Sequence, residues 1–351
     1  MKLSINMLSQ ADSVDGQGVG SAYLELIGLL ASAPELRVSI NGKGNRFQIN
    51  HAHTINPTYY LRMSKHSVNV AYVHFLPDTL DGSIKLPKIA FGIFKKYVTS
   101  FYKKADEIVV VNPIFIEPLE KLGIPKSRIT YIPNFVDHEV FHSLDKEIIE
   151  KAKDLYELPK DRFIVLGVGQ VQNRKGVLDF IEVAKKNPEL FFVWAGGFSF
   201  GNITDGYKEL KKVVENPPEN VRFLGIVKRK DMNEIYNLAD VLFMPSYNEL
   251  FPMSILEAVN SKKPVLLREL DLYKDILFGK YLKASDNNGF SELLLTLKND
   301  KEAYQKAAED SEAISAFYSK EHVLEIWKAY YPRIYQKHKD DKGKKVPLPQ
   351  D

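Results

Sequence analysis

The chain has 351 residues, 44% of them apolar and 26% charged, which suits two globular domains with a sizeable core. A formal net charge of +3 gives no reason to expect a nucleic-acid partner, and the absence of cysteine excludes disulfides, zinc–thiolate sites and thiol nucleophiles while agreeing with a reducing compartment. No stretch approaches the ~20 apolar residues of a membrane span, and no signal peptide is visible, so the protein is expected in the cytosol.

Leu3–Leu8 opens the chain as an apolar strand. The segment Asp15-Gly16-Gln17-Gly18-Val19-Gly20-Ser21 follows and leads into a helix over Val19–Ser32; its glycines let the backbone approach a ligand closely. The spacing is not Gly-x-Gly-x-x-Gly and no acid ends the next strand, Leu36–Ile40, so a dinucleotide site is not indicated and a plain flexible turn stays open. The strand Val68–Val73 ends at His74, where ligands sit in parallel sheets; a structural histidine is the alternative. His51 and His53 are spaced like ligands, with no partner visible in the sequence.

From Lys85 to Lys104 there are six lysines and no acid. Read as one helix, this segment puts Lys85, Lys88, Lys95, Lys96 and Lys103 on one face and Ala90, Ile93, Phe94, Tyr97, Val98 and Phe101 on the other. A basic face with aromatics suits an anionic membrane surface; an ordinary helix with its lysines in water is the alternative. Strands Glu107–Val111 and Ile129–Ile132 follow, and the turn signal Pro133-Asn134 and then Pro159 place a domain boundary between Asp137 and Lys160.

The second half repeats the pattern with strands Phe163–Val168, Leu190–Ala195, Val221–Leu224, Val241–Met244 and Pro264–Leu267, and helices Lys175–Lys186, Lys230–Leu238 and Met253–Asn260. Val168-Gly169-Gln170-Val171-Gln172-Asn173-Arg174-Lys175-Gly176 joins a buried strand to a helix, so Arg174, as a fork, and Lys175, as a point charge, are placed to neutralise a diphosphate; a solvated basic turn is the alternative. After Val241–Met244 comes Asn248-Glu249-Leu-Phe-Pro-Met-Ser-Ile-Leu-Glu257-Ala258. Pro252 favours a helix start, which turns the N–H groups of Phe251, Met253 and Ser254 into an anion site. Glu249, in the loop ahead, is placed for sugar hydroxyls and Glu257 for a ribose; two surface glutamates flanking an ordinary helix are the alternative. A helix over Ala313–Lys337, aromatic at Phe317, Trp327, Tyr330, Tyr331 and Tyr335 and kinked at Pro332, covers a core, and the tail beyond reads as disordered.

Continuous apolar strands alternating with helices predict an α/β architecture of two doubly wound, Rossmann-like domains facing each other across a cleft. The expected segments are residues 1–150, 151–312, a helix at 313–337 packing back toward the first domain, and a tail at 338–351.

With these motifs the chain resembles the GT-B retaining glycosyltransferases of family four, whose pattern is Gly-Arg-Leu-x-x-x-Lys-Gly, a Gly-Gly after a strand, and Pro-Ser-x-x-Glu with a second Glu eight positions on. Gly196-Gly197, Pro245-Ser246 and Glu249/Glu257 match in order and spacing, and Ile132-Pro133-Asn134-Phe135-Val136-Asp137 stands where the family has Asn-Gly-Val-Asp. Gln170 departs from the family's arginine and Phe135 from its glycine, which leaves Arg174 to supply the charge. The resemblance implies that Arg174 and Lys175 bind the donor diphosphate beside Gly169, that Glu257 holds the ribose and Glu249 the transferred sugar, and that the base contacts Gly225–Lys228 around Val227. It further implies that the glycine loop at Gly18 closes over donor and acceptor, that His74 stands near the reacting oxygen, and that the first domain takes the acceptor.

Gly-Gln-Gly-Val-Gly-Ser-Ala-Tyr, His-Phe-Leu-Pro-Asp-Thr-Leu and Gln-Asn-Arg-Lys-Gly resemble the bacterial diacylglycerol glycosyltransferases, in particular those that add a second hexose to a monoglucosyl lipid. The expected reaction is therefore retaining transfer of glucose or galactose from UDP-glucose or UDP-galactose to a membrane glycolipid. It is expected at the inner face of the cell membrane, where Lys88, Lys95, Lys96 and Lys103 meet the anionic surface. No cofactor is expected, and no metal, because no Asp-x-Asp pair occurs in the chain. The alternatives are a soluble or polysaccharide acceptor, a nucleotide-sugar epimerase or hydrolase on the same scaffold, and a non-catalytic relative.

Overall fold

The computed structural model describes residues 2–10, 18–44, 47–74, 76, 88–198 and 206–340, with the backbone alone at 18–22, 88 and 340. In chain order the elements are β1 (Leu3–Leu8), α1 (Gly18–Ala31), β2 (Leu36–Ile40), β3 (Ile49–Ala52), α2 (Pro57–Arg62), β4 (Val68–Val73), α3 (Lys88–Lys104), β5 (Glu107–Val110), α4 (Ile116–Lys121) and β6 (Ile129–Tyr131). Then come α5 (Lys146–Leu155), β7 (Ile164–Val168), α6 (Val177–Lys186), β8 (Phe191–Ala195), α7 (Tyr207–Glu215), β9 (Val221–Gly225), α8 (Met232–Leu238), β10 (Val241–Met244) and α9 (Met253–Asn260). The chain closes with β11 (Val265–Arg268), α10 (Asp271–Lys274), β12 (Leu282–Ala284), α11 (Asn287–Asn299), α12 (Lys301–Phe317) and α13 (Lys320–Asp340).

The chain divides into two compact units, residues 1–135 with 320–351, and residues 136–319. Each is built on a six-stranded sheet among the described residues, ordered β2-β1-β3-β4-β5-β6 in the first and β12-β11-β10-β7-β8-β9 in the second. Every strand pairing within both is parallel. Strands β1, β4, β5, β8 and β10 are buried along their whole length, which explains their continuous apolar runs. The strand order reverses between β1 and β3 in one sheet and between β7 and β10 in the other, and it is there that neighbouring loops part and leave room for a ligand.

In the first unit α13 lays Trp327 and Tyr331 against the sheet: the Trp327 ring meets those of Tyr331 at 5.1 Å, His51 at 5.5 Å and Tyr72 at 6.0 Å. In the second unit Phe180 is the hub, stacked on Phe243 at 5.6 Å and edge-on to Phe192 and Trp194 at 5.3 and 5.0 Å. No helix among the described residues is long and apolar enough to cross a membrane.

Several elements differ from the expectation. Strand β3 was not read, because Ile-Asn-His-Ala is half polar, and neither was β12, a three-residue edge strand. The helix expected over 313–337 is two helices: Tyr318 caps α12, Ser319 bridges to Val136, and the chain then passes into the first unit. The helix then runs through Pro332 to Asp340, so residues 338–340 are not tail; His338 is buried with its Nε2 2.7 Å from Glu107 Oε1. Residues 341–351 lie outside the described residues.

The basic helix is described from Lys88, and Lys85 and the side chain of Lys88 lie outside the described residues. Its faces also need correction. Ile93 is 66% exposed and Ile89 83%, on the same stripe as exposed Lys96 and Lys103, while Lys95 is half-buried over the Phe91 ring at 4.8 Å. Positions 89, 93, 96, 100 and 103 follow the three-and-four spacing of one helix face, so the solvent face is mixed, isoleucine at one end and lysine at the other.

Candidate active site

The second sheet gathers its glycines at its carboxyl edge. Gly169, just past β7, has φ 143°, and Gly196, just past β8, has φ 142°. A Cβ on Gly196 would lie 1.9 Å from the Gly169 carbonyl oxygen, which also accepts a hydrogen bond from Trp194 Nε1 at 2.9 Å. The backbone here is therefore open to glycine only. A Cβ on Gly169 would stand 3.2 Å from Lys175 Cε, so the lysine stem lies across it.

The expected helix Lys175–Lys186 starts two residues later, because Gly176 takes the left-handed conformation, φ 70°, between a 3-10 turn over Asn173–Lys175 and α6. The Gly176 turn packs against the next loop: a Cβ there would come 2.3 Å from Pro245 O. Two hydrogen bonds fasten the same loops, Tyr247 N to Arg174 O at 2.8 Å and Arg174 Nη1 to Asn248 O at 3.3 Å. Gln170 is tied into this turn: Gln172 donates to Gln170 Oε1 at 2.7 Å, and Arg174 Nε donates to Gln172 Oε1 at 2.9 Å. Arg174 remains exposed.

Across these loops Lys175 Nζ meets Glu249 Oε1 at 2.5 Å, with side chains only 12% and 6% exposed. Of the three N–H donors on the ammonium, one faces this carboxylate. Pro252 is the N-cap of α9, which starts at Met253, so the N–H groups of Met253 and Ser254 in the first turn have no carbonyl of their own helix to bond. Phe251, Pro252 and Ser254 are half-buried, and Ser254 Oγ points to the Met244 sulfur at 3.3 Å.

Glu257 is buried in α9 with both oxygens engaged, Oε1 by Arg229 Nη1 at 2.5 Å and Oε2 by the Tyr236 hydroxyl at 2.6 Å. Burial, then the Glu257 charge, hold the Tyr236 hydroxyl well above its ordinary pKa, so it stays a donor. Gly225, with φ 67°, pairs with Gly196 and is followed by exposed Ile226 and half-buried Val227. The structure thus brings Gly169, Arg174, Lys175, Val227, Glu249 and the α9 start to one edge of one sheet. Sequence reasoning missed Arg229, Tyr236 and Arg268; a cation shortly after the Gly225 turn was the available signal for the first.

In the first unit His74 follows β4 and His53 follows β3, which is why strand β3 supplies the partners that the sequence had hidden. His74 Nε2 lies 3.1 Å from His53 Nδ1, and His51 Nδ1 lies 2.8 Å from the Tyr331 hydroxyl. The Tyr72 ring stands edge-on to all three imidazoles at 4.6–5.6 Å. Burial pushes His51 and His74 down to about 3, and it holds His53 well below the ordinary value, with the neighbouring histidines adding to the effect for His51 and His53. All three are neutral at physiological pH. Among the described residues no group of three or more His, Cys, Asp or Glu is arranged to hold a metal ion. Gly18 is the first residue of α1; residues 11–17 of the glycine loop lie outside the described residues.

Two family descriptions match the sequence, "Glycosyltransferase Family 4" over residues 18–140 and "Glycosyl transferases group 1" over residues 148–313. The alpha-galactosylglucosyldiacylglycerol synthase of Streptococcus pneumoniae is 46% identical over 95% of this chain and 90% of its own length. The processive diacylglycerol alpha-glucosyltransferase of Acholeplasma laidlawii is 30% identical over 58% of this chain and 63% of its own. Among solved structures, sucrose-phosphate synthase from Thermosynechococcus elongatus superposes with a TM-score of 0.79 at 15% identity, covering 96% of this chain and 100% of that one. HepE from Anabaena, solved with UDP-glucose, superposes at 0.76 with 14% identity, covering 94% of this chain and 100% of its own. At such identities the likeness carries the fold alone.

Two outcomes are expected of this geometry. Lys175→Met leaves the Glu249 carboxylate buried and unpaired, so in urea the second unit should lose about 3–5 kcal/mol, and adding Glu249→Leu should recover most of it; equal losses in single and double variants would contradict the pairing. The histidines bind protons unfolded, near pH 6.5, but not folded. Their contribution to stability is complete above about 6.5 and is lost as pH falls toward the folded values, at about 1.4 kcal/mol per pH unit for each. The urea midpoint of the first unit should therefore drop between pH 7.5 and 5.5, and less steeply in His51→Asn.

Proposed function

This chain belongs to family 4 of the glycosyltransferases, and we propose that it moves glucose or galactose from UDP-glucose or UDP-galactose to a monoglucosyl-diacylglycerol. The observation that carries the donor half is the buried Lys175–Glu249 pair beside the α9 start, a cation and an anion 2.5 Å apart at one strand edge. In this reading the diphosphate lies on Lys175, Arg174 and the N–H groups of Met253 and Ser254, which draw off the charge that builds on the leaving oxygen. Lys175 keeps two N–H donors for phosphate while it holds Glu249. Glu249 then accepts from the hydroxyls of the sugar. Gly169 lets the phosphates approach, Val227 and its loop take the base, and Glu257 takes the ribose beside Phe251 and Pro252.

Arg174 stands in for the arginine that Gln170 replaces. The hydrogen-bond chain from Gln170 through Gln172 to Arg174 supports this, since it orients the guanidinium from the usual arginine position. In the transfer the bond from the anomeric carbon to the phosphate oxygen breaks and the bond to the acceptor oxygen forms on the same face. The acceptor proton passes to the departing phosphate oxygen, and UDP leaves. The positive charge that the step needs is supplied by side chains and a helix start, so a divalent ion is not required. His74, neutral, serves as a hydrogen-bonding group for the acceptor in the first unit.

The acceptor half rests on the name of the relative at 46% identity and on α3. Exposed Ile89 and Ile93 beside Lys96 and Lys103 give one helix both a wedge and a charge for an anionic bilayer. This mixed face favours peripheral attachment to the cytoplasmic leaflet over a soluble acceptor, and each lysine near the surface adds about 1 kcal/mol.

Two measurements test the proposal. With monoglucosyl-diacylglycerol in anionic micelles and EDTA present, one of the two UDP-sugars should yield the α-linked dihexosyl lipid, and Glu249→Gln should lower kcat about 100-fold. Turnover that stops in EDTA would overturn the metal-free step, and donor consumption without acceptor would favour a hydrolase or epimerase. Separately, the protein should sediment with phosphatidylglycerol vesicles, and Ile89→Ser/Ile93→Ser should release it; unchanged sedimentation would remove α3 from the membrane surface.

A further inference from the structure

Arg268 ends β11 and is 9% exposed, an unusual place for a guanidinium. Its donors are spread over three segments: Nε to Pro245 O, Nη1 to Ser285 O and Nη2 to Asp179 Oδ2, each at 2.9 Å. Its plane covers the Tyr247 ring at 4.0 Å and faces Phe290 at 5.4 Å. Asp179 sits in the first turn of α6, just after Lys175 and Gly176, and its other oxygen accepts from Asn287 Nδ2 at 3.0 Å. Pro245 and Tyr247 begin the loop that carries Glu249. One side chain therefore grips both loops from below, the Lys175 turn through Asp179 and the Glu249 loop through Pro245 and Tyr247. Only a planar fork with an aromatic-compatible face does all of this at once; an ammonium would satisfy one or two acceptors and lose the stack.

We infer that Arg268 is a positioning residue for sugar transfer, fixing the spacing between the Lys175 turn and the Glu249 loop so that phosphate and sugar are held in register. This rests on the donor roles given above to Lys175 and Glu249. Arg268 does not touch the substrate. Its effect is on the geometry of the reacting centre, where a displacement of ~1 Å costs about 100-fold in rate.

The test is steady-state transfer from the UDP-sugar to monoglucosyl-diacylglycerol by the full chain, with UDP affinity measured by calorimetry. Arg268→Lys should lower kcat about 10- to 100-fold while the Kd for UDP rises no more than about threefold, because gripping a diphosphate tolerates looser loops than transfer does. In a Glu249→Gln background the same substitution should cost kcat less than about threefold, since the group it positions is already impaired. Turnover near that of the unsubstituted protein, or a full multiplicative loss in the Glu249→Gln background, would overturn the inference. If Arg268→Lys does not fold, Tyr247→Leu removes the stacked ring at an exposed position and should reproduce the kcat loss in smaller measure, with unchanged kcat counting against the inference. Unimpaired transfer by Lys175→Ala and Glu249→Gln would instead defeat the donor-site reading, an outcome distinct from either.

Discussion

The second unit is arranged around one contact that adds little net stability, the ion pair between Lys175 and Glu249 with both side chains almost out of solvent. Removing two charges from water is expensive, and their attraction seldom does more than offset that expense. A well-packed apolar pair would hold the same two loops at least as firmly. What the ion pair supplies is a cation and an anion already desolvated and already close, so that a polar ligand meeting them need not first reorganise water. Such a pair persists only where the surrounding backbone leaves it no alternative. The glycines at 169, 176 and 196, each at positive φ and each against another main chain or side chain, remove those alternatives.

Topology explains why the pair forms where it does. Strands β7 and β10 are neighbours in the sheet although distant in sequence, so the loop after each emerges beside the other. The Lys175 turn comes from the first and the Glu249 loop from the second. Tyr247 N to Arg174 O and the Gly176 contact on Pro245 O join them in the main chain, and the Arg268 guanidinium joins them through side chains. A single carboxylate at Glu257 is treated differently: it is held by Arg229 and Tyr236, both from the stretch after β9, so the third loop is drawn to the same helix α9. The Glu257 carboxylate is therefore held in one orientation before anything binds to it.

Much of this was legible in the residues, and the physical reason is burial. Strands covered on both faces are mostly apolar, so β1, β4, β8 and β10 stood out, and the motif glycines and acids followed them at strand ends. Strand β3 was illegible for the opposite reason. Its Asn50 and His51 are polar but buried: Asn50 Oδ1 accepts from Asn6 and His51 Nδ1 meets the Tyr331 hydroxyl, both residues far away in sequence. Arg268 was hidden in the same way, because a cation closing an apolar strand looks like the end of burial when it is buried itself. Ile93 misled because helical periodicity assigns apolar residues to the core, whereas this helix leaves an apolar residue on its solvent stripe. In each case a long-range partner, or its absence, decides the outcome, and no local pattern records it.

The histidines of the first unit carry the contrast with the second one step further. There the charged groups are paired; here three ionisable rings are kept uncharged by burial against Tyr72, Trp327 and Tyr331. A neutral His74 gives and accepts one hydrogen bond each, and His53 occupies its Nε2, which leaves Nδ1 as the ring nitrogen available to anything arriving from the β4 end. Had His74 been cationic, its ring would have favoured an anion. Held neutral, it favours a hydroxyl. The two units thus differ in electrostatics, the second holding paired, fixed charge at its strand edge and the first a desolvated, uncharged polar edge.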